Sequence, residues 1–116
     1  ARIYAEDPVR FYPSPGLLKT LRFPSGEGIR VETGFAEGSS VTPYYDPLIA
    51  KLIVHAADRP SAIERLIGAL DATTIEGAKH NSPLVRRVLD SEEFRAGHVH
   101  TGLGTDILAR AAQKTA

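Results

Sequence analysis

The sequence predicts an α+β fold, in which a small antiparallel β-sheet from the N-terminal half packs with helices from the C-terminal half. The first half alternates apolar and polar residues between frequent Gly and Pro, as short strands do. The second half repeats its apolar residues at helical spacing. At 116 residues, 42% hydrophobic and 24% charged, the chain can bury one core, so we expect a single domain over residues 1–116.

Three segments of the first half are predicted strands. Residues 17–23 place Leu17, Leu21 and Phe23 on one face of a strand and Leu18, Thr20 and Arg22 on the other face. Residues 29–35 alternate in the same way, and the turn "PSGEG" at 24–28 is expected to join the two as antiparallel neighbours. The run "AKLIVHAA" at 50–57 is continuously apolar, which favours a central strand over an edge strand.

Two amphipathic helices are predicted next. Pro60 suits a first helical turn, and the apolar face that follows comprises Ile63, Leu66, Ile67 and Leu70. Asn81 or Ser82 can cap a second helix that has Pro83 near its start. Its inward positions are predicted to be Leu84, Val85, Val88 and Leu89.

The chain is expected to end on a short helical turn and a last helix. Ser91 can cap the turn, which finishes near Gly97. Thr105 with Asp106 is expected to start the last helix.

The composition excludes several classes of protein. Fourteen Lys and Arg balance 14 Asp and Glu, whereas binding to nucleic-acid phosphates calls for a basic excess. No apolar run approaches the length of a membrane-spanning helix, and no signal-peptide pattern opens the chain. The absence of Cys fits a cytoplasmic location. The absence of Met, even at position 1, fits either a segment of a longer polypeptide or a processed chain.

The first residues place three polar side chains on one face of an extended segment. Arg2, Tyr4 and Glu6 share that face, while Ile3 on the other face can anchor the core. An ordinary interpretation is an exposed Arg–Glu ion pair, which is common and weak. The alternative is a polar site, since Arg offers a permanently charged fork to a carboxylate or to an oxygen that becomes negative during a reaction.

Asp46 and Lys51 are the charged residues around the apolar run. Asp46 precedes Pro47, which favours turn chemistry, although a functional Asp would instead hold an arginine in one rotamer. Lys51 is interpreted as a strand lysine whose charged end reaches water.

No metal or phosphate site is predicted. His98 and His100 alternate in "GHVHTG", but they lack a clear third ligand for zinc. The glycines of "SGEGIR" and "TGLGT" lack the order of a phosphate-binding loop.

Seven sequence motifs, in this order along the chain, resemble those of one known family. They are "RIYAEDP", "F-x-PSPG", "GIRVETG", "YYDPLIAKLIVHA", "R-x-x-AIERL", "I-x-G-x-x-x-N" and "F-x-x-G-x-x-x-T". Together they closely resemble the C-terminal domain of biotin carboxylase, the ATP-grasp subunit or domain of acetyl-CoA, propionyl-CoA, methylcrotonyl-CoA, pyruvate and urea carboxylases. The resemblance covers residues 1–104.

The resemblance implies a reaction and roles for three residues. In the family, ATP and bicarbonate form carboxyphosphate, which carboxylates N1′ of biotin. Arg2 matches the arginine that meets the negative charge developing on the ureido oxygen. Asp46 matches an aspartate that we expect to orient Arg2, and Glu6 is expected to brace the strand and the loop that follows.

The resemblance also implies cofactors and partners. ATP with Mg or Mn, together with bicarbonate, is expected to bind mainly to upstream ATP-grasp domains, and biotin to arrive on a carrier domain that serves a carboxyltransferase. A homodimer is expected, with Glu27, Arg30 and Arg65 at its interface. Thr101 is expected in the vicinity of the adenine of ATP. The mitochondrial matrix is the alternative location for a eukaryotic source.

The chain departs from the family's pattern at two places and lacks its upstream motifs. His80 stands where family members tend to carry Thr, and Leu103-Gly104 where they carry an aromatic and an aliphatic residue. The ATP-binding lysines, the metal-binding glutamates and the bicarbonate segment have no counterpart here, so the chain alone is expected to be inactive.

Two alternatives keep the fold and change the function. One is a non-catalytic docking or dimerisation module, against which the intact words around Arg2 and Asp46 argue. The other is the analogous domain of a purine-biosynthetic ATP-grasp enzyme, in which "AEDP…PSPG…YYDP" would not be expected.

Overall fold

The computed structural model describes the backbone of residues 1–115 and the side chains of residues 1–110. Its strands are β1 (Arg2–Tyr4), β2 (Gly16–Leu17), β3 (Thr20–Arg22), β4 (Ile29–Thr33), β5 (Ser40–Val41), β6 (Leu48–Val54) and β7 (Thr74–Glu76). Its helices are α1 (Arg59–Asp71), α2 (Ser82–Asp90), α3 (Glu92–Ala96) and α4 (Leu103–Thr115). The predicted α+β fold is therefore confirmed. None of the helices described is long and apolar enough to cross a membrane.

The largest sheet has three antiparallel strands in the order β1-β6-β4. The apolar run predicted to form a central strand does so, since β6 pairs with β1 on one edge and with β4 on the other. Helix α1 packs against β6. The core contains side chains from both halves of the chain, and the largest fully buried ones are Ile3, Leu18, Ile49 and Leu52.

The helices begin and end close to the predicted residues. Asp58 caps α1 by accepting a hydrogen bond from the backbone N–H of Ser61 at 2.8 Å. Ser91 caps α3 through the N–H of Phe94 at 3.2 Å, and Gly97 ends that helix with a φ of 80°. Helix α4 begins at Leu103, two residues earlier than predicted.

The segment 17–23 is not the single strand that its alternation predicts. It divides into β2, which pairs with β5, and β3, which pairs with β7. Between them, the N–H of Leu18 bonds to Ser39 O at 2.9 Å and the N–H of Lys19 to Glu76 O at 2.8 Å. This change of partner breaks the alternation, so Leu18 is fully buried while Leu17 is 47% exposed, the reverse of the predicted sides.

The predicted hairpin across residues 24–28 is also wrong. Strand β3 pairs with β7, and β4 pairs with β6. Strand β7 was not predicted, because three residues in the polar stretch after α1 are too few for a visible alternation. It places a strand among the helices, so the order of strands before helices holds only approximately.

Candidate functional site on the outer face of the three-stranded sheet

The structure places Arg2 on the solvent-exposed face of the edge strand β1. Its side chain is exposed, and the next residue, Ile3, is fully buried beneath the strand. The guanidinium carbon lies 5.7 Å from the centre of the Tyr4 ring, within range of a cation–π contact. Within residues 1–110, the Arg2 side chain forms neither a salt bridge nor a hydrogen bond to another residue. Its charge is thus available to an external group.

A second cation lies beside Arg2 across the sheet. Lys51 is the register partner of Arg2 on one side and of Glu32 on the other. Directly opposed residues share a face, with Cβ atoms about 5 Å apart, and like charges in that arrangement repel. Glu32 forms a salt bridge with Arg30, whose guanidinium donates a hydrogen bond to the Glu32 carboxylate. That hydrogen bond is the largest cause that lowers the pKa of Glu32. The charge of Lys51 also lowers the pKa of Glu32, so Lys51 is partly shared with that carboxylate. Because Arg30 is the main partner of Glu32, Arg2 and Lys51 still form a small positive patch that suits an anionic oxygen.

A shallow depression of about 310 Å³ adjoins this patch where β4 ends and β6 begins. Thr33 orders its wall by donating from Oγ1 to the carbonyl of Ile49 at 2.9 Å. Its lining residues are Glu32, Thr33, Gly34, Phe35, Leu48, Ile49, Ala50 and Lys51.

Asn81 holds the strand that carries Arg2. The N–H of Tyr4 donates to Asn81 Oδ1 at 2.8 Å, and Asn81 Nδ2 donates to the carbonyl of Arg2 at 3.1 Å. The backbone N–H of Asn81 also donates to Tyr4 O at 3.2 Å. The side chain makes no capping bond to α2, although Asn81 occupies the cap position of that helix.

The structure does not join Asp46 to Arg2. Asp46 is exposed, and its Oδ1 accepts a hydrogen bond from the N–H of Leu48 at 2.9 Å. This bond to a backbone group two residues on is the turn role expected of an Asp before Pro. The next residue, Pro47, accepts the N–H of Ala5 at 2.8 Å. Asp46 therefore lies before the start of β6, near Ala5, whereas Arg2 is in register with Lys51 inside that strand. An orienting role for Asp46 remains a prediction.

Glu6 and Asp7 lie where β1 runs into a loop. Glu6 forms a bridge with Pro13, and burial raises the pKa of the Glu6 carboxyl. Asp7 Oδ1 accepts the N–H groups of Val9 at 2.8 Å and Arg10 at 2.9 Å. The Arg10 bond is the largest cause that lowers the pKa of Asp7 to about 2. The Asp7 carboxylate thus organises the loop, and the bracing role predicted for Glu6 remains untested.

The three residues predicted at a dimer interface lie at one end of the sheet. Glu27 is exposed in the turn before β4, and Arg30 is exposed on that strand. Arg65, on α1, donates from its guanidinium to the carbonyl of His55. The N–H of His55 in turn donates to Gly28 O at 2.9 Å, which joins the Arg65 corner to the turn.

Thr101 lies in the loop between α3 and α4 and is exposed. The neighbouring His100 accepts the N–H of Gly102 at Nδ1, 3.1 Å away, and its Nε2 lies 3.5 Å from Asp106 Oδ2. A depression of about 360 Å³ opens beside this loop. No hydrogen bond of the described side chains links Thr101 to the Arg2 strand.

The described part of the chain holds no group of three His, Cys, Asp or Glu that could bind a metal ion. His98 is exposed, whereas His80 is half-buried, and burial lowers its pKa.

Two residues of this site were missed in the sequence. Lys51 was interpreted as an ordinary strand lysine, because its register with Arg2 depends on a pairing 49 positions away. Asn81 was interpreted as a helix cap. One signal was available: two adjacent residues, Asn81 and Ser82, could each cap the same helix, so one of them was free for another use.

Comparison with known proteins gives the family. The model of the biotin carboxylase C-terminal domain matches residues 1–104. A biotin carboxylase of Halalkalibacterium halodurans is 51% identical over 107 residues, which are 92% of this chain and 24% of that protein. The human mitochondrial propionyl-CoA carboxylase alpha chain is 39% identical over 109 residues, which are 91% of this chain and 15% of that protein.

Solved structures agree with these relatives. The biotin carboxylase domain dimer of Hydrogenobacter thermophilus 2-oxoglutarate carboxylase, in complex with MgADP, ADP and bicarbonate, superposes with a TM-score of 0.89. It is 39% identical to this chain, and the match covers 93% of this chain and 25% of that one. The urea carboxylase of Kluyveromyces lactis has a TM-score of 0.83 at 43% identity, over 88% of this chain and 9% of that one.

The chain thus spans about a quarter or less of the lengths of these relatives. The matched region contains the whole outer-face site, from Arg2 on β1 to Asn81 before α2. From the match over residues 1–104 and the 51% identity to a biotin carboxylase, the chain belongs to the biotin carboxylase C-terminal domain family.

Proposed function

We propose that this chain is the C-terminal domain of a biotin carboxylase, which uses ATP and bicarbonate to carboxylate N1′ of carrier-bound biotin. In this proposal, the domain completes the biotin site and contributes to dimerisation. The observation that carries the proposal is the family match across residues 1–104, because that match includes the sequence motifs that contain Arg2 and Asp46.

Arg2 is assigned the charge-stabilising role. The ureido nitrogen of biotin is a poor nucleophile until it loses its proton, and that loss places negative charge on the ureido oxygen. A fixed cation aimed at an oxygen where charge develops lowers the barrier. One such donor typically raises the rate by about 10²–10³-fold. Arg2 suits this role because it is exposed, carries a permanent charge and has no competing carboxylate partner among residues 1–110.

Lys51 is assigned a supporting role beside Arg2. Its register on β6 puts a second positive charge next to the first, and the opposed Glu32 is paired with Arg30. Repulsion between Lys51 and Arg2 is relieved when an anion lies between them. The patch therefore favours the charged form of the reacting group over the neutral one.

ATP, its metal ion and bicarbonate are proposed to bind mainly to domains that lie outside this chain. The described residues hold no cluster of acidic ligands that would suit Mg²⁺. When bound, the nucleotide supplies the phosphoryl group that activates bicarbonate. Thr101 follows His100, which lines the depression that we propose faces the adenine. The chain by itself should not hydrolyse ATP.

The test is biotin-dependent ADP release by the full-length enzyme that contains this domain. Arg2→Ser should lower turnover with biotin by about 10²-fold or more, since it removes a cation from the oxyanion site, and should leave ATP binding intact. The matched control is Arg22→Ser, which removes an exposed arginine from β3, where it pairs with Glu37. Unchanged turnover in the Arg2 variant would refute the proposal in favour of a docking module.

A homodimer through the corner formed by Glu27, Arg30 and Arg65 is part of the proposal. The carboxylase domain of H. thermophilus cited above is a dimer, and charged side chains fit a polar, reversible interface. Arg30→Glu should weaken the dimer in sedimentation velocity, whereas the control Arg22→Glu should not. Equal sedimentation of the two variants would move the interface elsewhere.

A further inference from the structure

The edge of β1 that faces away from β6 is closed by one residue, Asn81. In the sheet order β1-β6-β4, the described backbone gives strand β1 a neighbouring strand on one side only. On the other side, Asn81 forms three hydrogen bonds with the backbone of Arg2 and Tyr4, at 2.8, 3.1 and 3.2 Å. We propose that Asn81 is a positioning residue that sets the direction of the Arg2 side chain; this inference rests on the role proposed for Arg2 above.

The amide of Asn81 acts as a piece of neighbouring strand. Its Oδ1 accepts from the N–H of Tyr4, and its Nδ2 donates to the carbonyl of Arg2. One planar amide thus pairs with the two backbone groups on either side of Ile3. The residue between them, Ile3, is fully buried and cannot rotate out. These restraints act on the backbone from which the Arg2 side chain projects.

Arg2 depends on such restraints because little else holds it. Its guanidinium has only the Tyr4 ring as a close partner among the described side chains. A free guanidinium suits a site that must receive a substrate oxygen, but its direction must then come from the strand. A misplacement of about 1 Å from a change outside the reacting groups can cost about 10²-fold in rate.

The helix gives up a stabilising contact for this arrangement. Asn is among the preferred N-cap residues, and its side chain normally accepts from the first turn. Asn81 has φ −87° and ψ 0°, makes no such bond to α2, and is only 8% exposed. Its amide is turned instead to a strand 77–79 positions away in the sequence. The helix loses a cap bond while β1 gains an edge partner, which assigns the residue to β1.

The test uses Asn81→Asp in the full-length enzyme, with Ser82→Ala as the matched control. Asp keeps the size and the acceptor for Tyr4, but it sets a carboxylate oxygen against the Arg2 carbonyl in place of the donor. Ser82 is buried at the same helix start, and its Oγ has no hydrogen-bond partner among the side chains and backbone described, so its removal tests local packing alone. The kcat with biotin should fall about 10- to 100-fold in Asn81→Asp. ATP affinity should stay within about twofold in both variants, and kcat should not change in Ser82→Ala.

The double variant separates positioning from general damage. If Asn81 acts through Arg2, adding Asn81→Asp to Arg2→Ser causes no further loss of kcat, because the two effects are coupled. Asn81→Ala, which removes both side-chain bonds, should show the same lack of further loss. An equal fold loss in the wild-type and Arg2→Ser backgrounds would overturn the inference.

The outcomes also distinguish this inference from the proposed function. If Arg2→Ser leaves biotin-dependent turnover unchanged, the proposed function fails, and the inference fails with it. If Arg2→Ser abolishes turnover while Asn81→Asp behaves like Ser82→Ala, the proposed function stands and only the positioning role is wrong.

Discussion

Adjacent leucines at the start of the chain provide the sharpest test of the fold. Leu18 is fully buried between β2 and β3, whereas Leu17 is 47% exposed. Alternation alone predicts the opposite, with Leu17 on the side of Leu21 and Phe23. Leu→Ala at each position removes the same atoms from neighbouring residues, so most unfolded-state effects cancel in the comparison.

The expected difference is large. A fully buried Leu→Ala substitution costs about 2–5 kcal/mol, because both transfer free energy and packing are lost. For a chain of 116 residues, a loss of about 3 kcal/mol lowers the Tm by about 12 °C, from a typical unfolding entropy per residue. Leu17 is already about half exposed in the folded state, so Leu17→Ala removes little buried apolar surface. It should cost about 1 kcal/mol or less.

Thermal and urea unfolding of the two variants, followed by circular dichroism, measures both changes. The urea transitions should differ in midpoint and share a slope, since neither change alters the surface exposed on unfolding. Equal losses, or a larger loss for Leu17→Ala, would refute the division of this segment into two strands with different partners.

Three further predictions concern Asp46, Asp7 and Gly77. Asp46→Asn keeps the turn acceptor and should leave stability within about 0.5 kcal/mol. The orienting role predicted for Asp46 needs its charge, so kcat with biotin should fall; an unchanged kcat would leave Asp46 a turn residue. Asp7 has its pKa lowered to about 2, chiefly by the N–H of Arg10, so its stabilising effect is present above the unfolded value of 3.8 and lost as the pH falls through about 2. The difference in Tm between wild type and Asp7→Asn should therefore shrink from pH 6 to pH 2, and a constant difference would contradict this. Gly77→Ala should destabilise more than Gly38→Ala, because both have positive φ but only the Gly77 Cβ would meet the opposing backbone; similar urea midpoints for the two would show that the backbone there relaxes.

Local features of the chain were predicted well, because they depend on residues close in sequence. Pro60 and the apolar repeat after it indicate α1, and Ser91 with Gly97 marks the ends of α3. The continuous apolar run of β6 indicates a central strand, and β6 does pair on both edges. Its outer face is nevertheless open, since Lys51 and Ile53 are exposed.

Pairing between distant segments was not predictable in the same way. Every strand offers the same backbone N–H and C=O groups, so the sequence between 17 and 35 is as compatible with a hairpin as with separate partners. The short strand β7 pairs with β3 although the whole of α1 lies between them in the sequence, so the pairing depends on where that helix packs.

The sequence by itself determined the fold class, the main helices, the central strand and, through its motifs, the family. Only the tertiary structure decided that Lys51 lies beside Arg2 and that Asn81 holds the strand beneath it. The physical reason is that composition and periodicity describe each segment's own preferences, whereas a site depends on which segments meet, and that choice is made by the packing of the whole core.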